Sequence, residues 1–251
     1  VSEEAPRPDG APEPDGAPEP EAQGGDLTAL VAAGAAEAAI VVYRELLARY
    51  HRTLDLVSPQ AFADLDRHLA EAERYAAAVR DLAPAEGPLL DLGTGAGLPG
   101  VVVAARLAPR AVWWVERRRR RTAFLTQVAA HAGLTSVRVV GEDVRRLARP
   151  PGGVAAVTAQ AVGTLVEVAE LTRPLWGPRV LLLSRKGPDW GAEVEALANW
   201  WRREAARRGA AVPEPGATAV GADGAWAAPQ VLRAEPLGTR GTLVAVELRG
   251  G

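Results

Sequence analysis

The stretch Leu89-Leu90-Asp91-Leu92-Gly93-Thr94-Gly95-Ala96-Gly97-Leu98-Pro99-Gly100, LLDLGTGAGLPG, decides the architecture of this chain. A short apolar run reaches an acid and gives way to four closely spaced glycines. Such a run reads as a buried strand, and a glycine turn that opens a helix is the first unit of a doubly wound sheet, which takes ligands at the carboxyl ends of its strands. Glycine there allows φ values closed to other residues and lets backbone approach a ligand without a Cβ in the way. The letters hold two spacings. Gly95-x-Gly97-x-x-Gly100 suits a dinucleotide site, whereas Asp91-x-Gly93-x-Gly95-x-Gly97 suits an S-adenosylmethionine site. A pyrophosphate against the helix N-terminus has no use for an acid at position 91. A cofactor without phosphate, carrying a cationic amino-acid end, does, so Asp91 favours S-adenosylmethionine.

Outward from this loop, apolar runs alternate with amphipathic stretches. Strands are expected at 88–92, 111–116, 137–141, 154–159 and 179–184, and helices at 98–107, 118–133, 142–149, 163–175 and 189–208. Strand and helix in alternation predict an α/β fold with a mostly parallel sheet covered on both faces. The segments 230–237 and 242–249 have no helix between them and read as an antiparallel hairpin closing one edge. Before the sheet, Leu27, Leu30, Val31, Ala35, Ile40, Val41, Leu46 and Leu47 recur at helical spacing to about Tyr50, and a further helix is expected from Ser58-Pro59 to about Leu82. The organisation read from this pattern is a tail at 1–25, a helical part at 26–84 and an α/β sheet domain at 85–251.

The tail repeats PDGAPE at 8–13 and 14–19 and is almost wholly Pro, Gly, Ala and acids, a composition that cannot bury enough apolar surface to offset chain entropy. It is expected to be disordered. Eight acids against Arg7 in residues 1–26 leave the rest of the chain with 28 basic and 23 acidic residues, although the total is −2. The folded part is therefore mildly basic, which is compatible with a polyanionic partner. With no cysteine and only His51, His68 and His131, disulfides, thiolate chemistry and a histidine metal cluster are excluded or disfavoured, and no metal is expected. No apolar run approaches the roughly 20 residues of a membrane helix. No membrane partner and a cytoplasmic location are the expectations.

Further acids stand at strand ends. Glu116 closes the second strand, nineteen residues beyond Gly97, where a carboxylate can accept from both hydroxyls of a ribose. Asp143, with Val144 after it, follows the third, where an adenine edge could be read. Arg117 to Arg121 form a run of five arginines, suited to RNA phosphate or to an ordinary solvated helix face. Lys186 is the only lysine among 29 basic residues, a point charge at a strand end rather than a planar guanidinium.

The string DLGTGAGLPG, and above all Leu98-Pro99-Gly100 after the glycines, resembles the RsmG (GidB) family of methyltransferases. The likeness continues through RRTAFLTQVAAHAGL (120–134), AQAVGTL (159–165), RKG (185–187) and TLVAVE (242–247), with His68 and Glu71 similar to the family's His-x-x-Asp pair. It implies a class I S-adenosylmethionine-dependent fold behind an N-terminal helical part, and transfer of a methyl to N7 of a guanine in small-subunit ribosomal RNA. Cofactor contacts carried over by position fall on Gly93, Leu98, Val144, Arg145 and Gln160, beside Asp91, Gly95, Gly97, Glu116 and Asp143 from the reading above. Arg185, Lys186, Arg117 and Arg121 are expected on the substrate. The chain departs from the family at Ala159-Gln160-Ala161, where the pattern is Ala-Arg-Ala, and at Asp55-Leu56-Val57, where it is Asn-Leu-Thr. The loss of a cation at Gln160 keeps open a methyltransferase acting on a small molecule or protein, or a non-catalytic cofactor-binding module. Guanine N7 has a free lone pair, so no catalytic base is expected. The target should lie in a loop or open segment, because the deep groove of A-form RNA hides N7. The expected working unit is a monomer on the ribosomal RNA or particle.

Overall fold

The computed structural model describes residues 24–210, 226–238 and 241–250. The tail expected to be disordered lies outside the described residues up to position 23. Helix α1 (Gly24–Tyr50) begins inside its last two positions. Ser58 then caps α2 (Pro59–Ala63), its hydroxyl accepting from the Ala61 N–H while Pro59 takes the first turn. The single helix expected to follow breaks at Asp64, whose ψ of 15° leaves the helical range, and α3 runs from Leu65 to Leu82.

Seven strands follow, β1 (Leu89–Leu92), β2 (Val112–Val115), β3 (Val137–Val140), β4 (Val154–Ala159), β5 (Trp176–Lys186), β6 (Ala227–Leu237) and β7 (Gly241–Arg249). They form one sheet in the order β3-β2-β1-β4-β5-β7-β6. The first five run parallel, β7 pairs antiparallel with β5, and β6 pairs antiparallel with β7 at the edge. Between them lie α4 (Gly100–Leu107), α5 (Arg119–His131), α6 (Leu165–Thr172) and α7 (Trp190–Arg207). The helix expected at 142–149 is instead one 3-10 turn, Val144–Arg146. Only Val144 in that turn is buried, and Pro150 biases the residue before it away from helix. Similarly α6 stops at Thr172, because Pro174 lacks the N–H a continuing helix would need.

The two faces of the sheet carry separate cores. Leu89, Val112, Trp114, Leu181, Leu183, Leu243 and Ala245 pack with α1, α3, α4 and α5 on one side. Leu90, Leu92, Trp113, Val115, Leu182 and Val244 pack with α6 and α7 on the other. The alternation within β2, Val112 and Trp114 one way and Trp113 and Val115 the other, is the period of two that a strand imposes. The N-terminal helices thus share their core with the sheet. No helix among the described residues is long and apolar enough to cross a membrane. Strand order turns back between β1 and β4, and the crevice at their carboxyl ends is where a doubly wound sheet binds ligand.

Candidate active site

A cleft of about 620 Å³ opens at that crevice. Its floor is the loop after β1, where Gly93, Gly95 and Gly97 all have positive φ, 69°, 61° and 118°. Gly100 is different. A Cβ there would lie 2.5 Å from Asp91 Oδ2 and 2.9 Å from Trp114 Nε1, so α4 can start this close to the sheet only on glycine. The four glycines divide into three that turn the loop and one that seats the helix.

Glu116 locks the loop. Its Oε2 accepts from the Gly95 N–H at 3.1 Å and its Oε1 from the Arg118 N–H at 2.8 Å, while Arg121 Nη1 stands 3.9 Å from Oε2. A carboxylate has about four acceptor positions, so this one retains capacity for hydroxyls in the cleft. Asp143 caps the 3-10 turn by accepting from the Arg145 N–H at 3.0 Å, with the guanidinium groups of Arg117 and Arg145 3.7 and 3.8 Å away. That backbone hydrogen bond, and then those cations, hold its carboxyl below the ordinary carboxylate value.

Gly93, Gly95, Leu98, Glu116, Asp143, Val144, Arg145 and Gln160 all line the cleft, as do Arg117 and Arg121. Asp91 and Gly97 do not. The Asp91 side chain turns inward: Thr158 Oγ1 donates to its Oδ1 at 2.5 Å, and burial pushes the carboxyl up to about 6 despite that bond. Asp91 is thus tied to β4 through Thr158 and packs beneath Gly100 at the start of α4. A Cβ on Gly97 would meet Tyr43 and Val101, so that residue faces α1 and α4 rather than the cleft. Arg185 and Lys186 also lie off the lining. Arg185 donates to Glu71 Oε2 at 3.1 Å, and Lys186 is held by the Gly163 carbonyl and Glu193.

The helical part supplies a wall that sequence reasoning assigned no contact. Tyr43 and Leu47 of α1, Leu56 and Val57 after it, Ala61 of α2, and Leu65 and His68 of α3 all line the cleft. His68 stands with Nδ1 3.6 Å from Glu71 Oε2, and that buried carboxylate is also bonded by Arg67 at 2.9 Å and by Arg185. The signal for this wall lay in the resemblance, at positions 55–57 and in the pair His68 and Glu71. Arg121 bridges wall and floor, lying beside Gly95 and donating to the Leu56 carbonyl at 3.5 Å.

This strand order, an antiparallel last pairing, the glycine loop and the acid at the end of β2 together define a class I S-adenosylmethionine-dependent methyltransferase fold. A family profile described as rRNA small subunit methyltransferase G, GidB, matches residues 36–210. The chain belongs to the GidB (RsmG) family. Two similar relatives are both named ribosomal RNA small subunit methyltransferase G. The protein from Ralstonia nicotianae is 32% identical over 175 residues, covering 67% of this chain and 78% of the relative. The protein from Nocardioides sp. is 36% identical over 211 residues, covering 82% and 80%.

Proposed function

We propose that the chain transfers a methyl group from S-adenosylmethionine to N7 of a guanine in small-subunit ribosomal RNA. The observation that carries the reading is the Glu116 carboxylate bonded to the Gly95 N–H on the floor of a cleft large enough for a nucleoside, in a chain of this family. The residues present fit the cofactor. Glu116 would take the ribose, and Asp143, Val144 and Arg145 the adenine. The loop after β1 and the loop carrying Gln160 would take the amino-acid half on the side of β4. When bound, the cofactor supplies an electrophilic sulfonium methyl group.

Guanine N7 brings a lone pair and no proton, so the protein has no base to provide. Its contributions are alignment of the acceptor and exclusion of water. The apolar wall of Leu47, Leu56, Val57 and Leu65 and the apolar Leu98, Val144 and Val162 suit the second task. Arg117, whose side chain is 76% exposed, stands on the rim and suits phosphate contact. We take residues 26–84 as the helical part and 85–251 as the methyltransferase domain, working as a monomer in the cytoplasm on ribosomal RNA or particles.

The test is transfer of labelled methyl to small-subunit RNA, free and in particles, with mass analysis of the product nucleosides. One new 7-methylguanosine is expected. Methylation of RNA at another atom, or none in either substrate with cofactor bound, would refute the reading.

A further inference from the structure

Lys186 ends β5 with its side chain only 4% exposed. Its Nζ donates to the Gly163 carbonyl at 2.6 Å and lies 2.9 Å from Glu193 Oε2, on α7. The same Glu193 oxygen accepts the N–H of Leu165, the first residue of α6, at 3.0 Å. One ion pair, drawn from β5 and α7, therefore grips the β4–α6 loop at two places two residues apart.

That loop is Gln160-Ala161-Val162-Gly163-Thr164. Ala161 has φ 55°, in the left-handed region that a residue with a Cβ disfavours. Gln160, Ala161 and Val162 line the cleft. Val162 packs directly on the glycine loop, its Cγ2 2.8 Å from where a Cβ on Gly93 would stand. A disfavoured backbone persists only where its surroundings over-determine it. Here the surroundings are the Lys186–Glu193 pair and the capping box in which the Thr164 hydroxyl accepts from the Glu167 N–H while Glu167 accepts from the Thr164 N–H. Both polar contacts of the ammonium are to protein, and with its side chain 4% exposed it is not presented to an RNA phosphate.

We propose that Lys186 and Glu193 are positioning residues: a clasp that sets the Gln160–Gly163 loop against the glycine loop and so fixes the β4 side of the cleft, where the methyl group and its acceptor must align. This deepens the methyl-transfer reading and rests on it. A displacement of about 1 Å at such a loop is worth on the order of 10²-fold in rate. Lys186→Met should therefore lower kcat by about 10- to 100-fold, with KM for RNA and the salt dependence of RNA binding as in the parent. Glu193→Gln should also lower kcat, and the loss in Lys186→Met/Glu193→Gln should be clearly smaller than the product of the two single losses, because each single change already removes the shared ion pair.

Glu193→Gln leaves a buried ammonium with no counter-charge and could fail to fold. The double variant removes both charges, so it supplies the decisive folded protein, checked by its urea midpoint. Hydrogen exchange at the Leu165 N–H gives a readout independent of activity, and it should quicken in the double variant. An RNA-phosphate role would instead raise KM and flatten the salt dependence in Lys186→Met while Glu193→Gln stayed active. That pattern, or a folded double variant with parental kcat and parental exchange at Leu165, would overturn the clasp. If the parent methylates no RNA while exchange at Leu165 still quickens in the double variant, the clasp stands and the functional reading fails.

Discussion

The two sides of β1 are built from the same topological part, a parallel strand ending in a loop, yet they use their polar side chains in opposite ways. Toward β2 and β3, Glu116 and Asp143 accept backbone N–H groups and face the cleft. Toward β4 and β5, Thr158, Arg185 and Lys186 spend their polar atoms on Asp91, Glu71, Gly163 and Glu193, behind the surface. Recognition of an adenosine needs carboxylates and loop backbone in contact with ligand. Alignment for transfer needs a loop of fixed shape, and buried charge can hold one. The difference teaches that a charged residue at a strand end is not by itself a ligand contact; what occupies its partners decides.

The sharpest way to break this contrast is at Gly95. Gly95→Val would put a β-branched residue at φ 61° and crowd the N–H that Glu116 accepts. Calorimetry should find S-adenosylmethionine affinity reduced by at least about 100-fold, roughly 3 kcal/mol, in a protein that still folds. Unchanged affinity would remove this loop from the cofactor site.

Much of this side was legible beforehand. Short apolar runs between amphipathic stretches mark the strands, and glycines after the first of them mark the loop. Asp91 shows where motif reading stops. It stands in DLGTGAG as a ligand would, but two residues from Leu89 it shares that residue's face, which α4 covers. Gly100, with no room for a Cβ above Asp91, was the available sign that the acid is packed rather than presented. Lys186 was harder, because its partner Glu193 sits on α7 and no spacing in one sequence tells which helix crosses which strand end. The cleft wall of Tyr43 and Leu47 was hidden for another reason: an apolar residue lining a site and one filling a core follow the same helical period.

A second test separates the buried acid from the presented ones by pH. Well below pH 3.8, its ordinary value, Asp91 is protonated in both folded and unfolded chains. As pH rises the unfolded chain releases the proton first, while the folded protein keeps it until about 6. The folded state therefore binds more protons in that window, and stability from this group declines between about pH 4 and 6 and is flat above. Asp143, held below its ordinary value, acts oppositely and only at lower pH. Asp91→Asn cannot titrate. Its stability relative to the parent, from urea unfolding, should rise by about 2–3 kcal/mol between pH 4 and 7. A difference independent of pH would mean that Asp91 is not a buried acid.

Gly100→Ala probes the same contact by volume. A methyl 2.5 Å from Asp91 Oδ2 forces α4 or the carboxylate to move, and the folded protein should lose about 1–3 kcal/mol. Cofactor affinity should change far less than in Gly95→Val, since Gly100 seats the helix. Equal losses of affinity in the two variants would erase the division drawn between the glycines.

The smallest expected effect separates two neighbouring arginines on the cofactor side. Arg117 is 76% exposed beside Asp143, whereas Arg121 is 25% exposed and lies between Gly95 and the Leu56 carbonyl. Each phosphate contact releases counterions, and removing one should shallow the log affinity against log salt slope by about 0.7–0.9. Arg117→Ala should therefore weaken RNA binding only a few-fold at moderate salt, flatten the slope by about one contact, and leave cofactor affinity intact. Arg121→Ala should do the reverse, since that side chain ties the helical wall to the glycine loop and sits against the Glu116 carboxylate. Cofactor affinity should fall while the RNA salt slope keeps its parental value. Filter binding of small-subunit RNA across a salt series, paired with calorimetry of the cofactor, reads both. If Arg121→Ala alone flattens the slope, the guanidinium reaches RNA past the loop, and the boundary between the cofactor floor and the RNA rim must be drawn one helical turn further along α5.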